Sequence, residues 1–227
     1  TVERAPASAR IALPPPAAGP LDGPLMQRYT GRNYDPAGVV PLAVASRLLQ
    51  RTFGAQQVRE IAEGTAALKK TSPSGGSLHP IEAYVLVQRV EGLAPGFYHY
   101  HPVTHALEPL QALAPPEARA HALAFVAGQE WFADAPLLVV MAPRWRRNFW
   151  KYRNHAKAHR AIMMDAGHLS QTFYLLAAEA GLPAFITAAV NEIDISAALG
   201  LDPIRDGVIA VCGCGPDSGE QVTVEYR

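Results

Sequence analysis

A lysine and a tyrosine stand side by side at Lys151 and Tyr152, in the stretch FWKYRNHAK ahead of a long apolar segment. Neither packs well in a core, and both handle protons. A lysine drawn out of water and set near other cations loses basicity toward neutral pH and can act as a general base. A tyrosine hydroxyl can orient a ring or donate to it. In RYTGR, Arg28 and Arg32 flank Thr30. Two planar guanidinium forks with a hydroxyl between them suit an anion, phosphate above all. PSGGSLHP, residues 73–80, sets Gly75 and Gly76 between Ser74 and Ser77. Such a pair lets a backbone approach a flat or charged ligand closely. CGCGPDSG, residues 212–219, follows an apolar run and suits a backbone nest for phosphate. Taken singly, each is also an ordinary surface feature: exposed arginine, a turn, a solvated helix entry.

Other chemistries find little support. There is no GxSxG, P-loop or EF-hand pattern, and CGCG is not the GxGxxG of a dinucleotide fold. His155 and His159 stand four apart in HAKAH, without the glutamate of a zinc protease. His99 and His101 share a strand face but have no evident third ligand, so no metal site is expected. His168, within DAGH, suits a hydrogen-bonded interior or interface position. Cys212 and Cys214 are the only cysteines. One intervening residue is a poor disulfide spacing, so they read as small strand residues in a reducing, cytoplasmic setting. The chain carries 20 basic and 20 acidic side chains among its 227 residues. That balance gives no field for nucleic acid or an anionic membrane. Its longest apolar runs, such as PLLVVMAP, are too short to span a bilayer. No secretory signal is visible, and the start at Thr1 suits a fragment or a processed form.

Several elements must position these groups. Residues 1–24, rich in Pro and Ala, read as an extended arm or linker before one domain over residues 25–227. A helix over LMQRY should end near TGRNYDP. Pro at its start and Gly at its end frame a second helix over residues 41–54. QVREIAEGTAALKK is ambiguous, and residues 71–80 read as a loop. Strands are expected at 81–90, 135–143, 184–190, 207–215 and 220–227, with a hairpin over 96–110. Helices are expected at 115–128 and over NEIDISAALGL. The longest helix runs from about Lys157 to Glu179, where Ile162, Ala166, Leu169, Phe173, Leu176 and Ala180 form an apolar stripe. Helices interleave with strands and hairpins, as in an α+β or three-layer α/β domain.

In this order, RYTGR, PSGGSLHPIEAYV, GFYHYHPVTHALEPL, WKYRNHAKAHRAIMMDAGHLSQTFYL, AFITAAV and AVCGCG resemble the SagB/ThcOx-type dehydrogenases. These are a branch of the FMN-dependent nitroreductase superfamily that acts in peptide maturation, and the peptide maturation dehydrogenases are the nearest likeness. The resemblance runs from about Met26 to Gly215. It implies an α+β three-layer fold with a central mixed, mainly antiparallel sheet, and a homodimer with two FMN sites at its interface. Arg28, Tyr29, Thr30 and Arg32 then match the segment that holds the FMN phosphate and ribityl chain. Pro73, Ser74, Gly75, Gly76 and Ser77 match the loop that reaches the flavin from the partner subunit. Thr187, Ala188 and Ala189 match the strand near the ring edge, and Gly213 and Gly215 the strand end near the phosphate. The superfamily often carries a basic residue after that strand; here PDSGEQ follows, with none until Arg227.

Lys151 and Tyr152 match the adjacent Lys-Tyr pair of the azoline-oxidising members. The implied activity is oxidation of a thiazoline or oxazoline in a modified peptide to the azole. Hydride passes to flavin N5 and Lys151 takes the proton. A cyclodehydratase partner is implied by the same likeness. An NAD(P)H-dependent reductase of quinones or nitroaromatics, or a non-catalytic scaffold subunit of a peptide-modifying complex, are the alternatives.

Overall fold

The computed structural model describes residues 10–63 and 65–220. Six strands form one sheet in the order β5-β4-β3-β6-β8-β7. They are β3 (Ile81–Val87), β4 (Gly96–His101), β5 (Ala106–Ala112), β6 (Leu137–Pro143), β7 (Ala184–Thr187) and β8 (Ala210–Cys214). Every pairing in it is antiparallel. The parallel component is confined to two isolated bridges, Thr30 with Ala184 and Val40 with Val90.

The strand alternation explains the three layers. Ile81, Ala83, Val85 and Val87 of β3 and Leu137, Val139 and Met141 of β6 turn to one face. There they pack on helices α2 (Leu42–Phe53) and α6 (Lys157–Glu179). Leu86, Leu138, Val140 and Val211 turn to the other face, against α3 (Pro115–Phe125), α4 (Glu130–Ala133) and α7 (Glu192–Leu199). Buried on both sides, β6 reads as a continuous apolar run, and so was legible as a strand. Cys212 and Cys214 lie in β8 with both thiols buried. Burial pushes the Cys214 thiol up to about 12 and the Cys212 thiol higher still, so both are inert as nucleophiles.

Three local expectations are revised. The proline-rich stretch forms a short helix earlier than expected, α1 (Asp22–Gln27). Pro24 falls in its first turn, where no amide donor is required. The ambiguous QVREIAEGTAALKK becomes an antiparallel ladder of β1 (Gln57–Ala62) and β2 (Thr65–Lys69), outside the main sheet. All of β1 is exposed, so nothing in its burial imposed a period-2 pattern. Lys151 and Tyr152 stand ahead of the long helix as expected, but in an element that was not expected. They close a separate helix, α5 (Trp145–Tyr152), and a turn follows before α6. Of the strand expected at 220–227, residues 221–227 lie outside the described residues, as do residues 1–9 of the arm. No helix among the described residues is long and apolar enough to cross a membrane.

Candidate active site

The loop PSGGS is fastened to α6. Asp165 is buried on that helix. Its carboxylate accepts from Ser74 Oγ at 2.5 Å and from the Gly75 amide at 3.0 Å. Ser74 Oγ in turn accepts from the His79 amide at 2.9 Å. One helical turn on, His168 Nδ1 donates to the Pro73 carbonyl at 3.2 Å. The loop is bent tightly enough that Gly76, Ser77 and His79 all hold positive φ. Glycine adopts that region freely, and the other two are held there by surrounding contacts.

Lys151 and Tyr152 meet this loop. Lys151 Nζ donates to the Gly76 carbonyl at 3.2 Å. A Cβ placed on Gly76 would lie 2.7 Å from Lys151 Nζ and 2.7 Å from Tyr152 Oη. Gly76 is therefore both the conformational hinge and the space into which the two polar tips converge. Lys157 Nζ stands 5.3 Å from the Tyr152 ring centroid. Lys151 is exposed and Tyr152 half-buried, so this chain alone does not supply the poorly solvated setting that a lysine base needs.

RYTGR lies along β7, at the edge of the sheet. The Gly31 amide donates to the Ala184 carbonyl at 2.8 Å, and Thr30 bridges Ala184. Gly31 permits this approach, since a Cβ there would sit 2.3 Å from Pro183 Cβ. Tyr174 of α6 ties the segment down. Its hydroxyl is 3.1 Å from Thr30 Oγ1 and accepts from the Ile186 amide at 3.1 Å. The Arg28 guanidinium lies 5.1 Å from the Tyr174 ring centroid, and that of Arg32 5.9 Å from the Phe132 centroid. Tyr29 Oη donates to Asp217 at 3.3 Å. Thr187 turns its hydroxyl inward, where it accepts from Gln129 Nε2 and the Ala189 amide, each at 3.1 Å. Ala188 and Ala189 are exposed beside it.

Gly213 and Gly215 are placed differently from a phosphate nest. Gly213 is buried in β8 opposite Leu138 and Phe185, and a Cβ there would meet the Phe185 ring at 2.6 Å. Gly215 is buried against Pro136, which a Cβ would meet at 2.1 Å, and its amide donates to the Pro183 carbonyl at 3.4 Å. Both glycines are accounted for by packing. His99 lies between Glu108, at 2.7 Å, and Glu82, at 3.4 Å. The hydrogen bond to Glu82 lifts His99 above the ordinary imidazole value, with burial opposing. No group of three or more candidate metal ligands occurs among the described residues.

The site residues thus form two clusters on one helix. PSGGS and Lys151–Tyr152 gather near Asp165; RYTGR and Thr187 gather near Tyr174. Nine residues of α6 separate the two anchors, about 14 Å along its axis. Asp165, Tyr174 and Gly31 were not singled out from the sequence. A carboxylate and a tyrosine on the buried side of a long helix were the available signal.

The nitroreductase family model matches residues 25–215. The chain belongs to the nitroreductase family. Among its relatives, MJ1384 of Methanocaldococcus jannaschii is 29% identical over 77% of this chain and 81% of its own. The trifolitoxin-processing protein TfxB of Rhizobium leguminosarum bv. trifolii is 28% identical over 63% of this chain and 38% of its own. Among solved structures, a chain of the E. coli microcin synthetase McbBCD complex, with truncated pro-MccB17 bound, shares the fold. Its TM-score is 0.69, with 20% identity over 95% of this chain and 83% of that one. An Exiguobacterium sibiricum protein in complex with FMN shares it at TM-score 0.60, with 12% identity over 92% and 94% of the two chains.

Proposed function

We propose that this nitroreductase-family chain is an FMN-dependent dehydrogenase of the SagB/ThcOx type that oxidises an azoline in a modified peptide to the azole. The observation that carries this is the convergence of Lys151 Nζ and Tyr152 Oη on Gly76, in a loop locked by Asp165. It sets a proton acceptor and a hydrogen-bond donor at a backbone position that carries no side chain.

The residues present fit FMN. Arg28, Thr30 and Arg32 supply two guanidiniums and a hydroxyl for the phosphate and ribityl chain, with Tyr29 beside them. The bare Gly75–Gly76 backbone offers a flat ring close approach, and Thr187, Ala188 and Ala189 line the other cluster. Bound FMN would supply the hydride acceptor. Lys151 takes the proton from the ring carbon next to the one that loses hydride, and the electrons of that C–H bond become the new double bond of the azole. Tyr152 orients the ring through its hydroxyl. Dioxygen or another acceptor then takes the electrons.

Two copies complete the site in this proposal, one contributing RYTGR and the other PSGGS. An azoline arises when a Cys, Ser or Thr side chain closes on the preceding amide with loss of water, so a cyclodehydratase is the partner that supplies the substrate. The peptide-processing relatives support that place in the sequence of reactions.

The test is turnover of a synthetic azoline peptide, read by mass as loss of two hydrogens, on wild type and Lys151→Ala loaded with FMN. A drop of about a hundredfold or more with flavin retained is expected for loss of a general base. Full turnover by Lys151→Ala would sink the base assignment. Rapid flavin bleaching by NAD(P)H, with no azoline oxidised, would point to a reductase. A partner whose activity needs this protein but neither Lys151 nor FMN would point to a scaffold.

A further inference from the structure

Two clefts share a wall of Ala66, Leu68 and Arg147, and the nearer is lined by Lys151 and Gly76. The nearer, of about 620 Å³, runs between the exposed β1–β2 ladder and α5. Its lining there is largely apolar, with Ile61 at 64% and Trp150 at 71% exposure. The farther, of about 570 Å³, is charged, and sets Lys70, Arg144, Arg147 and Arg205 against Glu82 and Asp206. Helix α5 joins the two. Arg144 at its N-cap, Arg147 and Lys151 recur at i, i+3 and i+7, and so fall on one face.

The cations of the far cleft outnumber what their carboxylates can neutralise. Glu82 faces both Arg144 and Arg147, each at 3.7 Å, and shares His99 with Glu108. Arg205 is exposed, and its side chain makes no ion pair among the described residues. The backbone fixes it beside Arg144: the Trp145 amide donates to the Arg205 carbonyl at 3.0 Å, and Arg144 bridges Asp206. An apolar trough that opens on a fixed excess of guanidinium is complementary to an extended chain with apolar residues at one point and a carboxylate further along.

We propose that the two clefts form one substrate channel that takes an extended peptide bearing a carboxylate, with the reacting residue at Lys151 and the carboxylate among Arg144, Arg147 and Arg205. Seven residues of α5 separate Arg144 from Lys151, about 10 Å. An extended peptide advances roughly 3.3 Å per residue, so the carboxylate falls about three residues from the reacting one. The carboxylate is an Asp or Glu side chain or the peptide's own C-terminus. The channel rests on the proposed reaction only for which residue sits at Lys151.

Binding of labelled heptapeptides that contain no azoline tests the channel on FMN-loaded protein, by fluorescence anisotropy. A central residue is followed, three places on, by Asp or by Asn, and each peptide is made with a free or an amidated C-terminus. The Asp peptide is expected to bind about tenfold more tightly than the Asn peptide when both are amidated, with the gap narrowing as salt rises. Tighter binding only with a free C-terminus would support the channel and assign the carboxylate to the chain end. Arg205→Glu and Arg144→Glu, both at exposed side chains, should each remove the preference. Equal affinity for all four peptides, or a preference that survives both substitutions, would overturn the proposal. An acid preference without any azoline turnover would leave the channel standing and count against the reaction alone.

Discussion

At the scale of single residues, Gly76 and Asp165 make separable predictions. Gly76→Ala places a methyl 2.7 Å from both Lys151 Nζ and Tyr152 Oη. These are the ends of flexible side chains, so they move, and the fold bears chiefly the left-handed backbone penalty of about 1–2 kcal/mol. Turnover should fall much further than stability, a split read by comparing the kcat loss with the denaturant midpoint. Asp165→Ala acts the other way. It strips a buried acceptor from Ser74 and from the Gly75 amide, so about 1–3 kcal/mol of stability should go, and flavin retention with it. Lys70 gives a pH signature. Burial pulls its pKa down to about 8, with Glu82 opposing and Arg147 adding to the effect. The unfolded lysine titrates near 10.4, so between about pH 8 and pH 10.4 the unfolded state holds more protons and stability rises with pH. Lys70→Met should flatten that rise and stabilise the fold at pH 7 by about 1–3 kcal/mol on the same linkage, read as a higher denaturation midpoint. A pH profile unchanged by Lys70→Met would assign the slope to other groups.

Elements differ in how much of themselves they write into sequence. The long helix was legible to its ends, because Ile162, Ala166, Leu169 and Phe173 all bury on one stripe. The core strands were legible because both faces of β6 and β8 are buried. Helix α5 was not. It buries only Asn148 fully; Trp145 packs on the main core half-buried, and Phe149 and Trp150 stay exposed. The β1–β2 ladder was obscure for the same reason, since an exposed strand is under no pressure to alternate. The site shows the same division. Arginines, glycines and a Lys-Tyr pair stand out by type, whereas Asp165 and Tyr174 gain their roles only from what the fold lays against them. The ladder's exposure carries its own prediction. With little apolar burial and solvent-facing hydrogen bonds, β1 and β2 amides should exchange hydrogen far faster than those of β6 and β8. A peptide in the adjoining channel should slow exchange at Ala66–Leu68 selectively. Protection equal to the core in the free protein would mean that the ladder is covered by something other than substrate.

At the scale of the whole molecule, the layout of α6 bears on how many chains one site needs. The loop anchor at Asp165 and the arginine anchor at Tyr174 stand about 14 Å apart along one helix. A two-fold pairing in which α6 of one copy meets α6 of the other would bring the loop cluster of each to the arginine cluster of its partner. The outward face of the helix has the surface for it: Met163 and Met164 are 38% and 58% exposed, and Gly167 has open space around it. If this pairing builds the FMN site, dimerisation and flavin binding are one equilibrium, and flavin retention must fall as protein is diluted through the dimer constant. Met164→Glu with Gly167→Arg adds a charge pair and bulk to that face without touching either cluster. The variant should sediment as a monomer with native helix content and release its flavin. A folded monomer that still holds FMN as tightly as wild type would mean that each chain builds its own site, and the reach from Arg28 to Gly76 would then have to be closed within a single copy.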